Sequence, residues 1–229
     1  PLDLNDLHSI KWLIEDLKPQ LLINAAAYTA VDQAESEPDL AHRINDEAPA
    51  VMAETAHTLG IPLVHYSTDY VFNGQGQEPY RESDPTDPLN VYGQSKRSGE
   101  LAIESQGGHY FIFRTSWVYG LRGKNFLLTI LKLARQKPEL TIVNDQIGAP
   151  TWSRSIADLT AQILAQGCHN LSAFFESYSG LYHLTAAGET SWYHFAQTIV
   201  NLDPKKSEHS LQNIDPRSEE HTSELQSPY

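Results

Sequence analysis

The 229 residues contain one cysteine, Cys168, so no internal disulfide can brace the chain, and that usage fits a reducing compartment. No run approaches the ~18 consecutive apolar residues that a membrane span needs. The opening Pro1-Leu2-Asp3-Leu4 has neither the charged nor the apolar region of a signal peptide, and reads as a chain entered midway. Together these point to the cytoplasm. Basic residues are scarce: 16 Lys and Arg stand against 29 Asp and Glu, a formal net charge of −13. That balance argues against nucleic acid and against an anionic membrane surface as partners. No fixed-period repeat is present, and no metal-ligand set is assigned.

What remains suits a packed globular protein. A hydrophobic content of 40% is enough for one sizeable α/β domain, or for a domain with a small companion. From Arg217 the string Arg-Ser-Glu-Glu-His-Thr-Ser-Glu-Leu-Gln-Ser-Pro-Tyr holds one Leu and no apolar period. It resembles the translation of a sequencing adapter, and residues 217–229 are set aside as a non-native tail.

Leu7, Ile10, Leu13, Ile14 and Leu17 recur at helical spacing, with Asn5 or Asp3 available as cap and Pro19 as stop. Leu21 to Asn24 reads as a buried parallel strand. Leu40, Ile44, Ala48, Met52 and Ala56 predict a helix from Pro38 to Leu59, ended by Gly60, and Pro62 to Ser67 a second strand. A helix at 91–104, a strand at 110–114, a helix at 126–135 and a strand at 140–143 continue the alternation. Repeated βα units predict a doubly wound, Rossmann-like parallel sheet. Beyond Asp145 the pattern loosens into helices at 153–166 and 191–200 around a short strand at 180–184. The expected division is 1–145 for the Rossmann-like part, 146–216 for a small C-terminal cap that binds substrate, and 217–229 for the tail.

Tyr92-Gly93-Gln94-Ser95-Lys96 puts Tyr92 and Lys96 at i and i+4, one turn apart on one helix face. A phenol ordinarily titrates near ~10, and an adjacent ammonium would lower that. With 11 Tyr in the chain, such a pair alone is an ordinary helix surface. The context is Ser67-Thr68-Asp69, where a strand ends in hydroxyls at the carboxyl edge of the sheet, the edge where α/β proteins bind ligands. There a hydroxyl can hold a carbonyl oxygen, although Ser-Thr-Asp after a strand is commonly just a turn. At another strand end, Asn24-Ala25-Ala26-Ala27 lacks the bulk that would keep a flat dinucleotide off the backbone; tight helix packing is the other reading.

Five blocks then converge: Asn24 to Glu37, His65 to Phe72, Asn90 to Lys96, Arg114 to Tyr119 and Asp145 to Thr151. In this order they closely resemble the dTDP-4-dehydrorhamnose reductase family of extended short-chain dehydrogenases, over about residues 3 to 200. The resemblance implies reduction of the C4 keto group of dTDP-4-dehydro-L-rhamnose to dTDP-L-rhamnose with NADPH or NADH. In that scheme Tyr92 is proton donor, Lys96 its tuner and nicotinamide-ribose contact, and Thr68 the hydroxyl that polarises the carbonyl. It further implies cofactor contacts at Asp3, Leu4, Ala26, Ala27, Tyr28 and Thr29, and dTDP-deoxysugar contacts at Asp69, Trp117 and Val31. A homodimer is compatible with the resemblance.

The departure is at the start. Such enzymes open with a strand, a glycine-rich turn and a helix whose amino end binds pyrophosphate, and no Gly-x-x-Gly-x-x-Gly turn precedes Asp3. The expected sheet therefore lacks its first βαβ unit, and with it the stretch that selects NADPH or NADH. Two rivals share the scaffold: an NAD-dependent epimerase or dehydratase that retains its cofactor, and a non-catalytic regulatory subunit of methionine adenosyltransferase.

Overall fold

The computed structural model describes residues 2–219. The first apolar stripe closes as α1 (Leu7–Leu17), burying Ile10 and Ile14. Its cap is Asp6, whose Oδ1 accepts the Ser9 N–H, rather than Asn5 or Asp3. A short side chain can satisfy only an N–H two or three positions ahead, and Asp3 is already bonded to the Asn5 N–H.

Next come β1 (Leu22–Asn24), α2 (Val31–Ala34), α3 (Pro38–His42) and α4 (Ala48–Leu59). A π-helical turn, Arg43–Glu47, joins α3 to α4, so the helix expected over 38–59 carries a bulge before it stops at Gly60. β2 (Leu63–Thr68), a 3-10 turn (Asp69–Val71), α5 (Val91–Ser105) and β3 (Tyr110–Thr115) follow. The remainder runs β4 (Val118–Tyr119), α6 (Phe126–Gln136), β5 (Glu139–Val143), β6 (Ile147–Gly148), β7 (Thr151–Trp152), α7 (Ser153–Gln166), α8 (Leu171–Tyr178), β8 (Gly180–His183), β9 (Thr190–Ser191), α9 (Trp192–Leu202) and β10 (Asn213–Arg217). The helix α8 and the short strands β4, β6, β7, β9 and β10 carry too few residues for a period to show in the sequence.

The chain forms two compact units, one of residues up to Thr115 with Leu159–Leu184, the other of Ser116–Asp158 with Thr185 onward. The first holds a four-stranded parallel sheet in the order β1-β2-β3-β8. Its inner strands β2 and β3 are buried along almost their whole length because both of their faces are covered. Leu63 and Ile112 pack with Ala53 and Ile103 of α4 and α5, while Val64, Phe111 and Phe113 pack against Phe175 of α8. Each such fully buried Leu, Ile, Val or Phe contributes about 1.5–3 kcal/mol relative to exposure. This is the α/β architecture with a parallel, doubly wound sheet that the alternation predicts.

In the second unit α6 and α9 bury Phe126, Ile130, Ala196 and Ile199 around Leu140. Here two expectations change. β5 does not extend the main sheet; it pairs in parallel with β10, Glu139 opposite Asn213 through Val143 opposite Arg217. Only one of its sides is covered, Leu140 being buried between exposed Glu139 and Thr141, whereas a strand inside the main sheet would be covered on both. Arg217, taken as the first tail residue, ends β10, and the Glu219 N–H donates to the Asp145 carboxylate. Backbone pairing requires no apolar side chain, so composition could not reveal it. Residues 220–229 of the expected tail lie outside the described residues.

The chain changes unit at 115, 158 and 184 rather than once at 145. The strand β8, expected in the cap, pairs with β3 in the main sheet. Among the described residues, no helix is long and apolar enough to cross a membrane.

Candidate active site

The carboxyl end of β2 and the first turn of α5 meet in the first unit. Thr68 is buried and caps the 3-10 turn: its Oγ1 accepts the Tyr70 N–H at 3.2 Å and donates to the Asp69 carboxylate at 3.1 Å. α5 starts at Asn90, whose Oδ1 accepts the Gly93 N–H at 2.7 Å. Position 93 must be glycine for the two to close, because a Cβ there would sit 2.2 Å from the Tyr70 carbonyl oxygen. That contact brings the partly buried Tyr92 against Tyr70, rings edge to face at 5.4 Å, with its phenol close enough to the Thr68 hydroxyl to feel it.

Burial raises the Tyr92 phenol well above the ordinary tyrosine value; the Thr68 hydrogen bond opposes this and the nearby Asp69 carboxylate adds to it. This is the reverse of the expected downward shift. The Lys96 nitrogen turns inward: it donates to the Tyr66 carbonyl at 2.7 Å and lies 3.1 Å from His65 Nε2. Burial pushes the Lys96 amine down to about 8, with Glu100 opposing. Burial, and then Lys96, hold His65 well below the ordinary histidine value.

Ala26, Ala27, Tyr28 and Thr29 line the carboxyl end of β1, with Ala25, Ala26 and Thr29 exposed. The loop is clamped by Asn45 from the π-helical turn, whose Oδ1 accepts the Tyr28 N–H at 2.9 Å and whose Nδ2 donates to the Tyr28 carbonyl and to Ser95 Oγ. The Tyr28 hydroxyl donates to Glu37 at 2.8 Å; burial, then that carboxylate, raise its pKa to about 12. Small, exposed residues above a fixed backbone fit the flat face of a nicotinamide dinucleotide, and the polar groups beneath them fit its reactive end.

Thr68, Asp69, Tyr92, Lys96 and the 26–29 loop thus lie at one edge of one sheet. Asp3 and Leu4 lie just before α1, where Asp3 is exposed and Leu4 leans on the Ile10–Ile14 cluster. Val31 opens α2 and is partly buried. Trp117 belongs to the second unit. Its backbone is left-handed, φ 47°, and its ring stacks on Trp192 at 3.5 Å and 7°. Gly148 makes room for that ring, since a Cβ there would lie 2.4 Å away, and Trp192 Nε1 donates to Gln146 Oε1. These contacts use Gln146 and Gly148 of the Asp145 to Thr151 block.

Asn24, His65, Asn45 and Trp192 went unassigned in the sequence. Asn45 sits mid-helix with nothing local to mark it, and His65 is one polar residue in an apolar strand. The alternation of β2 does turn it to the α5 side, the one signal that could have found it.

A parallel sheet covered on both faces, with Thr68, Tyr92 and a buried Lys96 at its carboxyl edge, defines a Rossmann-like α/β protein. A family model described as "RmlD substrate binding domain" matches residues 1–228, and the chain belongs to that family. Over 198 residues it is 52% identical to a dTDP-4-dehydrorhamnose reductase of Burkholderia thailandensis, covering 86% of this chain and 66% of that protein. To the reductase of Escherichia coli K12 it is 43% identical over 197 residues, covering 86% and 64%. The chain thus spans slightly under two thirds of these curated relatives. The solved dTDP-4-dehydrorhamnose reductase of Bacillus anthracis in complex with NADP superposes with a TM-score of 0.83 at 36% identity, covering 97% of this chain and 74% of that one.

Proposed function

We propose that this chain carries the proton-transfer half of a reductase that converts dTDP-4-dehydro-L-rhamnose to dTDP-L-rhamnose in the cytoplasm. The observation that carries the reading is the placement of Tyr92 beside the Thr68–Tyr70 turn, through its ring contact with Tyr70 and the close approach at Gly93, at the carboxyl edge of the sheet and one helical turn from Lys96. The B. thailandensis and E. coli relatives support the substrate, and the NADP in the B. anthracis structure favours the phosphorylated cofactor. Bound over Ala26 to Thr29, a reduced nicotinamide would supply the hydride.

The chain's own residues handle the oxygen. Tyr92 donates to the C4 carbonyl oxygen, where negative charge grows, and gives up its proton to the developing alkoxide; Thr68 joins it when its one hydroxyl proton turns from Asp69 to that oxygen. A phenol held above its ordinary value stays protonated at neutral pH, the form a proton donor needs. Asp69 holds the Thr68 proton until substrate arrives and contacts the sugar.

The test is turnover of the dTDP-4-keto sugar, followed by loss of reduced-nicotinamide absorbance and by product identity. Tyr92→Phe is expected to lower turnover at least ~100-fold, as for loss of a general acid; near-normal turnover would overturn the role. Conversion of the sugar without consumption of added cofactor would identify an epimerase or dehydratase instead.

A further inference from the structure

Beneath the candidate site three buried side chains stand in line. Asn24 Nδ2 lies 3.1 Å from His65 Nδ1, and His65 Nε2 lies 3.1 Å from Lys96 Nζ. Their exposures are 5%, 1% and 1%, so their polar atoms depend on one another. The direction of each bond follows from the one group whose role cannot change. The Ala26 backbone N–H is a donor at every pH, and Asn24 Oδ1 accepts it at 3.2 Å. The amide nitrogen of Asn24 therefore faces His65 and donates, which makes Nδ1 the bare nitrogen of the ring. A neutral imidazole then carries its proton on Nε2, aimed at Lys96. An ammonium has three donors and no lone pair, so it cannot accept that bond; an amine can.

We propose that Asn24 and His65 are positioning residues that tie the protonation of Lys96 to the tautomer of His65, so that lysine and imidazole gain and lose one proton as a unit. In the deprotonated state Nε2–H donates to the Lys96 amine. On proton uptake the Nε2 proton passes to Nζ, which becomes an ammonium donating back to Nε2. Nδ1 takes up the incoming proton, and the Asn24 amide turns over at the expense of its bond from Ala26. The imidazole stays neutral in both states. The downward shifts of Lys96 and His65 accord with this arrangement.

Of the charged groups on the surrounding elements, Glu100 favours the Lys96 ammonium, and each is bonded to other partners. Glu100 of α5 is bound by Arg114 of β3 and by Arg97, and Asp69 accepts from Thr68. Glu35 of the segment after α2 accepts the Val91 N–H. In the bulge Arg43 pairs with Glu47, and Asp46 lies 3.5 Å from His42 Nδ1 at the end of α3. The use of this unit rests on the proposed reduction: once Tyr92 has given its proton away, the ammonium one turn along the helix is the store that restores it. The tautomer switch itself does not rest on that reading.

The experiment is a long-range proton–nitrogen spectrum of the chain labelled with 15N-histidine, titrated from about pH 6.5 to 9.5, with His65 assigned by its absence in His65→Gln. The imidazole should pass from the Nδ1–H to the Nε2–H tautomer as the pH rises through the Lys96 transition near 8, without becoming charged. Lys96→Met should leave it as Nε2–H throughout. Asn24→Asp, whose carboxylate accepts from both Ala26 and Nδ1, should pin the Nδ1–H form and lower the Lys96 acid constant at least tenfold, so that the amine titrates at higher pH. One unchanging tautomer in the native chain, a charged ring, or a switch that persists in Lys96→Met would overturn the proposal. The native and Lys96→Met spectra decide it even if Asn24→Asp fails to fold. Absence of turnover would count against the reduction alone.

Discussion

Glu100 is wholly buried and accepts from Arg114 Nε and Nη2 at 2.8 and 2.7 Å and from Arg97 Nη1 at 2.8 Å. Burial alone would raise its pKa, but the guanidinium of Arg114, with smaller contributions from Ser67 and Arg97, outweighs burial and the net shift is downward. Its contribution to stability is therefore full above the ordinary glutamate value and is lost as the pH falls below that, through the lowered folded value. Arg114 also stands 5.0 Å over the Phe72 ring. Arg114→Met leaves a buried carboxylate with one partner and should cost about 3–5 kcal/mol in urea unfolding. Arg97→Met should cost less, because that side chain is 23% exposed; equal losses would show that burial does not set the strength of this network. Arg114 appeared in the sequence only as one member of a family block, since its partner lies fourteen residues away on another element.

Among the elements, α5 carries most of the candidate site, and its position depends on its glycine at 93. The first turn approaches the Tyr70 backbone so closely that any β-carbon collides. Gly93→Ala must push the helix start outward, which separates the Tyr92 phenol from Thr68. Overpacking of this kind costs about 1–3 kcal/mol. Calorimetry should show a lowered melting temperature, and turnover should fall further than the loss of folded protein explains; unchanged melting would disprove the close approach. The bulge at Arg43–Glu47 acts at the same scale. It presents Asn45 to the Tyr28 backbone and to Ser95, a placement that an unbroken helix at that register would rotate away. Such bulges interrupt helices frequently at functional sites, and their added residue leaves the apolar period of the sequence almost unchanged.

In the molecule as a whole, the two units are built differently. The four-stranded sheet has β2 and β3 in its interior, paired on both sides and covered on both faces. The β5–β10 ladder has two strands and one covered side. Hydrogen exchange should therefore be slowest in 63–68 and 110–115 and faster in 139–143 and 213–217, since protection follows local burial and pairing. Equal protection of both sheets would contradict this ordering.

What the sequence by itself determined was whatever a local period or a short spacing encodes. The strands and helices of the main sheet follow from apolar periodicity. The i, i+4 relation of Tyr92 to Lys96 follows from helix geometry, and the hydroxyls at 67 and 68 mark a strand end. What only the tertiary structure decided was everything set by partners distant in sequence: β10 beside β5, β8 beside β3, Asn45 on Tyr28, Trp192 on Trp117. The direction of the Tyr92 shift belongs here too. Adjacency to a lysine predicted a fall, but burial removes water from the phenol while Tyr66 and His65 engage the amine, and desolvation wins.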